Sequence, residues 1–221
     1  MVNKVYSIEG NIGSGKTTLL KILQAHPDFK DVVFVREPVD RWQTVIDNTG
    51  SNILEKFYSD KKQYAYPFQE LTLMTRFAAI KKAIKNNPGK TIIIERSIWT
   101  DKQVFAQMLF DSGDIEDMMF QVYKENFKVI EEDFIVDGFI YMDTNPDKCM
   151  ERVSKRNRTG ETIPLVYLKR CKSYHDDWLN NSLEPNLNNV LKISTSVEFE
   201  TTPKTLDEIV QNIKQFMKIK L

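Results

Sequence analysis

Cysteine is scarce in this sequence: Cys149 and Cys171 are the only two among 221 residues. A disulfide framework is therefore excluded as a source of stability, and two free thiols in a reducing compartment are expected. Nor is there an excess of charge of one sign. The chain has 31 basic and 31 acidic residues, for a formal net charge of zero. That balance lacks the electrostatic footprint of a protein that binds long nucleic acids or anionic membranes. Any phosphate the chain handles is expected on a small molecule. No run of 18 apolar residues occurs, so no membrane-spanning helix is expected. A strand-like run begins within a few residues of Met1, which leaves no room for a targeting peptide. Internal repeats, linkers and low-complexity stretches are also missing. The expectation is one cytoplasmic domain over residues 1–221, with 41% hydrophobic residues to build its core.

The most informative stretch present is Gly10-Asn11-Ile12-Gly13-Ser14-Gly15-Lys16-Thr17-Thr18. It reads G-x-x-x-x-G-K-T, the phosphate-binding P-loop pattern. Glycines let the backbone turn with positive φ and approach a phosphate closely. The loop N–H groups and the start of the next helix then point at the anion. Lys16 can reach the terminal phosphates, and the Thr17 hydroxyl can ligate Mg²⁺. The context agrees: a β-rich run, Lys4 to Glu9, precedes the loop, and Leu19, Leu20, Ile22 and Leu23 follow it at helical spacing.

Further along, 32–36 is a continuous apolar run suited to a buried parallel strand. Pro38 stops it and leaves Glu37 at its carboxyl end, the edge where open α/β sheets bind ligands. A carboxylate there is a candidate general base, although a helix-capping or surface glutamate would look the same. Residues 41–58 are predicted helical, as are 68–84, with Phe68-Gln69 at the second helix's start. Thr91 to Ile94 is predicted as a strand leading into Glu95-Arg96-Ser97. A helix over 115–130, a strand over 139–142 and a helix beginning at Asn145-Pro146 follow. Arg156-Asn-Arg158-Thr-Gly-Glu161 is a charged run. It is either a solvated face or a cover that carries arginines to phosphates. Pro164 opens a helix through Leu179, 190–193 is a fifth strand, and the last helix starts at Thr205 with a capping box to Glu208. Strands alternating with helices predict a three-layer, doubly wound α/β fold with a five-stranded parallel sheet.

Phosphoryl transfer to a hydroxyl needs a phosphate cradle, a metal, a base for the acceptor proton, and cations for the transferred group. The P-loop, Glu37, Glu95-Arg96 and the arginine run supply these at one sheet edge. The N-K-x-D motif of guanine-specific GTPases does not appear in the late position, and no Asp ends an apolar strand before a glycine. Glu9 and Glu95 are the carboxylates left near a metal.

The ordered set of the P-loop, Arg36-Glu37-Pro38-Val39-Asp40-Arg41-Trp42, Phe68-Gln69, Glu95-Arg96-Ser97, Asp101 and Arg156-x-Arg158 resembles the deoxyribonucleoside kinases. The resemblance runs from about Lys4 to Trp178, and it includes Pro164-Leu-x-Tyr-Leu and Tyr174-His-x-x-Trp178. It implies a P-loop kinase with a short arginine-bearing lid over about 156–163. ATP and Mg²⁺ would be its cofactors, a deoxyribonucleoside its partner molecule, and a homodimer its assembly. By resemblance Glu37 is the base for the 5′-hydroxyl. Arg96 holds that base and the transferring phosphate, and Glu95 is associated with Mg²⁺. Tyr58 and Glu161 bond the sugar 3′-hydroxyl, and Gln69 reads the nucleobase edge. Phe105 stacks on the base, Trp42 lines its pocket with Leu54, Phe57 and Phe68, and Arg156 and Arg158 are the lid arginines. Trp42, Phe57 and Phe105 would also serve as plain core residues.

The segment from Arg156 to Pro164 is one residue shorter than the lid of deoxycytidine kinase. Thr72 stands where the family more often has alanine or valine, which narrows the pocket. The loop that grips the ATP adenine is expected somewhere in 194–200. Arg76, seven residues after Gln69, lies two helical turns along, so both can face one pocket, which Asp101 can also reach. In the deoxycytidine and deoxyguanosine branch an Arg–Asp pair occupies these positions. Deoxycytidine or a purine deoxyribonucleoside is therefore expected to be favoured over thymidine. Two other readings stay open: a monophosphate kinase of the thymidylate kinase type, and a non-catalytic P-loop protein.

Overall fold

The computed structural model describes residues 2–133, 135–156, 161–181, 189–196 and 198–219. Its centre is a five-stranded parallel sheet: β1 (Lys4–Gly10), β2 (Val33–Val35), β3 (Thr91–Glu95), β4 (Gly138–Asp143) and β5 (Val190–Ser194). The strand order is β2-β3-β1-β4-β5, and every pairing is parallel. Chain direction therefore reverses its course across the sheet at β1, between β3 and β4. The crevice outside the carboxyl ends of strands at such a switch point is where α/β sheets bind ligands. The P-loop occupies it.

Side chains alternate across each strand, so each strand feeds two cores. Ile93, Tyr6, Ile8, Ile140 and Ile193 face one layer, packed by Leu19, Leu20 and Leu23 of α1 (Lys16–Ala25) and by Ile209, Val210 and Ile213 of α10 (Pro203–Met217). Val5, Ile92, Ile94, Phe139 and Tyr141 face the other. There they meet α4 (Lys61–Asn86), α7 (Asp117–Glu131), α8 (Pro146–Arg156) and α9 (Leu165–Asn181). This gives three layers around a parallel sheet, as the alternating pattern predicts.

Several boundaries differ from the predicted ones, each for a physical reason. The single helix expected over 41–58 is two, α2 (Val39–Gln43) and α3 (Ile53–Ser59). Asp47 breaks it: its carboxylate accepts from the Thr49 and Ser51 N–H groups and closes a turn ending at Gly50. Asn52 and Glu55 then form a capping box that restarts the helix. Helix α4 begins two turns before Phe68, because the Asp60 side chain caps it by accepting from the Gln63 N–H at 3.1 Å. It tolerates Pro67 within its 26 residues, forgoing one ladder bond.

Residues 98–111, not assigned from the sequence, form a continuous helical segment. It comprises α5 (Ile98–Thr100), a π-helical stretch (Asp101–Ala106) and α6 (Gln107–Asp111). The expected capping box from Thr205 to Glu208 is not the start of α10. That helix begins at Pro203, one residue after Thr202, whose hydroxyl donates to the Glu198 carbonyl at 3.0 Å. Pro at the first helical position loses only an N–H that would have been unpaired anyway.

Candidate active site

At the carboxyl edge of the sheet a cleft of about 600 Å³ opens. One end is the P-loop. A side chain at Gly13, where φ is +80°, would place its Cβ 2.5 Å from the Cys149 carbonyl oxygen. Only glycine fits between this turn and α8. Ile12, Gly13, Gly15, Lys16, Thr17 and Thr18 line the cleft. Gly10, Asn11 and Ser14 are not on its wall, and Asn11 instead braces the loop, its side-chain amide donating to the Leu168 carbonyl at 2.8 Å.

Lys16 Nζ donates to the Gly10 and Asn11 carbonyls at 3.0 and 2.6 Å. Burial and the nearby Arg96 push its ammonium down to about 7, against the pull of Glu95 and Glu37. The Thr17 hydroxyl donates to Glu95 Oε1 at 2.5 Å. Two hard oxygen donors side by side at the phosphate end are the kind of ligand that Mg²⁺ would take. Among the described residues no group of three or more His, Cys, Asp or Glu side chains is placed to hold a metal ion.

The middle of the cleft belongs to Glu37 and Arg96. Glu37 follows β2, as the strand-end reading places it, and its Oε2 accepts from Arg96 Nη1 at 2.6 Å. Arg96 follows β3 with φ of +60°, a conformation costly for any residue but glycine and persisting only where surroundings enforce it. Glu9 enforces it. That fully buried carboxylate accepts from the Ser97 N–H and hydroxyl at 2.9 and 2.7 Å and from the Thr100 hydroxyl, tying the turn to β1. The Arg96 guanidinium also lies 5.3 Å over the Phe105 ring. Burial raises the Glu37 carboxyl, but Arg96, Arg76 and Lys16 together bring it from its ordinary 4.5 to about 2.

A depressed carboxyl stabilises the fold above its unfolded value, and that stability is lost as pH falls through the folded value. The same sign governs activity. Acid-side kcat/KM is expected to stay flat down to about pH 5 in a stopped-assay pH profile, with Glu37 ionised throughout. An acid limb near pH 6 assigned to Glu37 by its loss in Glu37→Gln would contradict this.

The far end is aromatic and polar. Trp42, Leu54, Phe57, Tyr58, Phe68 and Phe105 line it. Phe57, almost fully buried, also packs against Phe68 at 4.7 Å, as a core residue does. Gln69 lines the wall, and its Oε1 is buried with no partner, an orphan that a ligand donor would satisfy. Arg76 and Asp101 meet in a buried ion pair. Thr72 does more than narrow the space: its hydroxyl lies 3.2 Å from Asp101 Oδ1 and 2.9 Å from the Gln69 carbonyl. The π-helical stretch brings Asp101 to this wall, and such stretches are frequent at functional sites. Glu161 lines the cleft beside Tyr58 and pairs with Arg156 at 2.5 Å. Burial, then the Glu161 charge, pushes the Tyr58 phenol up. Arg158 lies outside the described residues.

The sequence reading missed Arg152, Lys155 and Tyr167, which also line the cleft. Arg152 bonds the Ser14 and Thr195 carbonyls at 3.3 and 3.2 Å, linking the P-loop to the segment where the adenine grip is expected. Its signal was present: 152 and 156 are four apart and share one face of α8.

The deoxynucleoside kinase family model matches residues 6–218. A probable deoxycytidine kinase of fowlpox virus is 36% identical over 219 residues, covering 97% of this chain and 88% of that protein. A mitochondrial deoxyguanosine kinase of Xenopus laevis is 30% identical, covering 97% and 89% respectively. A deoxycytidine kinase of Gallus gallus is 31% identical, covering 96% and 89%.

Proposed function

The chain belongs to the deoxynucleoside kinase family and is an ATP-dependent kinase of deoxyribonucleosides; from that premise we propose which hydroxyl, which bases and which residues are involved. The acceptor is the 5′-hydroxyl, and deoxycytidine or a purine deoxyribonucleoside is preferred to thymidine. The observation that carries this reading is the buried Arg76–Asp101 pair, with the orphaned Gln69 amide oxygen on the same cleft wall, one step from Glu37. Asp101 accepts from an exocyclic amino group, and Arg76 can meet a carbonyl or ring nitrogen.

Within this reading the P-loop and Lys16 hold the phosphates, and Glu37 takes the 5′-hydroxyl proton. Arg96 orients Glu37 and stabilises charge on the transferred group. Tyr58 and Glu161 receive the sugar 3′-hydroxyl, while Phe105 and Trp42 flank the base. Thr17 and Glu95 would hold Mg²⁺, which would supply neutralising charge at the phosphates.

The whole chain acts as one domain, with 156–163 as its lid. A homodimer through the outer faces of α4 and α7 suits the exposed Met74, Met118, Val122 and Val129. Cys149 and Cys171 are both free and buried, which suits a cytoplasmic setting. Among the described residues no helix is long and apolar enough to cross a membrane.

The test is ATP consumption with deoxyribonucleosides, with their monophosphates, and with neither. Turnover is expected with the nucleosides alone. Turnover restricted to monophosphates would overturn the reading in favour of a thymidylate-kinase-like acceptor. The lid has its own test: Arg156→Ala and Arg158→Ala should each lower kcat more than they weaken nucleoside binding, by roughly 10²-fold or more for a lost transition-state contact. An Arg158→Ala enzyme changed only in nucleoside Kd would show that the segment is not a lid.

A further inference from the structure

Four charges, three buried and Glu37 nearly so, form a chain of ion pairs from the nucleobase end of the cleft to the phosphate end: Asp101, Arg76, Glu37 and Arg96. Arg76 Nη1 is on Asp101, and Arg76 Nη2 is 2.5 Å from Glu37 Oε1. The other Glu37 oxygen is taken by Arg96 at 2.6 Å. Both oxygens of the base are thus held by guanidinium N–H groups before any hydroxyl arrives. Arg96 must stay for the chemistry, since it also faces the phosphate end beside Gly10. Arg76 takes the other Glu37 oxygen and has no such duty.

We propose that Arg76 clamps the catalytic base and that a matching nucleobase loosens the clamp, so that base recognition gates phosphoryl transfer as well as binding. This rests on the functional reading above. Arg76 has a donor to spare, because its Nε is buried without a partner. Cytosine offers an amino donor to Asp101 and, next to it, the ring N3 acceptor to Arg76. Adenine offers N6 and N1 in the same order. Each gives both members of the pair a new partner and draws the guanidinium away from Glu37. Thymine presents O4 as an acceptor and N3–H as a donor, the reverse polarity to cytosine, so Arg76 stays on Glu37. The Thr72 hydroxyl, 3.2 Å from Asp101 Oδ1, holds the carboxylate in place while Arg76 shifts.

The charges facing Glu37 from every side agree with a restraint. Lys16 on α1, Arg76 on α4 and Arg96 after β3 all favour its ionised form. A carboxylate so stabilised is a weak base, and removing one cation strengthens it.

The experiment is single-turnover phosphoryl transfer with saturating ATP and nucleoside, which separates chemistry from product release. Deoxycytidine and thymidine are compared in the wild type, Arg76→Met and Asp101→Asn. The wild type should transfer to thymidine roughly 10-fold or more slowly than to deoxycytidine, a gap in rate and not only in Kd. Arg76→Met should bring the two rates within about 3-fold by speeding thymidine. Asp101→Asn, which leaves Arg76 wholly to Glu37, should slow transfer to deoxycytidine about 10-fold.

If Arg76→Met fails to fold because Asp101 is left unpaired, Arg76→Met/Asp101→Asn provides the same readout. Discrimination confined to Kd in the wild type, or an unchanged rate ratio once Arg76 is gone, would overturn the clamp while leaving the kinase reading intact. A wild type that phosphorylates no deoxyribonucleoside would overturn both.

Discussion

Glu37→Gln is expected to lower kcat by about 10² to 10⁴, the usual worth of general-base help, while deoxyribonucleoside binding measured by calorimetry survives. Glutamine keeps the shape and one oxygen acceptor but cannot take the 5′-hydroxyl proton. The position leaves little alternative role for the side chain. It follows β2 beside the P-loop, is nearly buried, and spends both oxygens on Arg76 and Arg96. The substitution also leaves two buried guanidinia short of a counter-charge, so stability should be read alongside rate. A folded Glu37→Gln enzyme with near-normal kcat would remove Glu37 from the chemistry.

The second large effect concerns the base. Replacing Arg76 by Met and Asp101 by Ala together should raise kcat/KM for thymidine relative to deoxycytidine by about 10- to 100-fold. Matched polar contacts to a base edge are worth about 1–3 kcal/mol of discrimination, and each 1.4 kcal/mol is a factor of ten. The physical cause is the Asp101 carboxylate, which repels thymine O4 in a site where unpaired buried polar groups discriminate strongly. Removing both partners avoids stranding one charge in the interior, and a buried pair exchanged for apolar groups is often neutral in stability. If Arg76 and Asp101 were only a brace between α4 and the π-helical stretch, the double substitution would change thermal stability and leave the base preference where it was.

Much of this site was legible because its signals are local. The P-loop declares itself in nine consecutive residues, Gly10 to Thr18. Glu37 and Arg96 could be placed because an apolar run stopped by Pro38, or followed by Ser97, fixes which residue ends a buried strand. Gln69 and Arg76 share a face of one helix, so their seven-residue spacing was enough to bring them together.

What was not legible depends on contacts between distant parts of the chain. The Arg76–Glu37 bond joins residues 39 apart, and no periodicity reports it. The role of Glu9 was invisible because it acts through the Ser97 and Thr100 hydroxyls across the sheet. Residues 98–111 hide a helix because a π-helical stretch slips the 3.6-residue pattern over Asp101–Ala106. The break at Asp47 was missed because apolar residues on both sides keep helical spacing, and side-chain hydrogen bonds to the Thr49 and Ser51 N–H groups override it.

We propose that this cleft selects a deoxyribonucleoside by the polarity of its base and phosphorylates its 5′-hydroxyl. The most direct test is kcat/KM for deoxycytidine, deoxyadenosine, deoxyguanosine and thymidine, measured with ATP and Mg²⁺, with the 5′-monophosphate identified as product. The products expected are 5′-monophosphates, with deoxycytidine or a purine deoxyribonucleoside at the top and thymidine at the bottom. A kcat/KM highest for thymidine in the unmodified protein would contradict it.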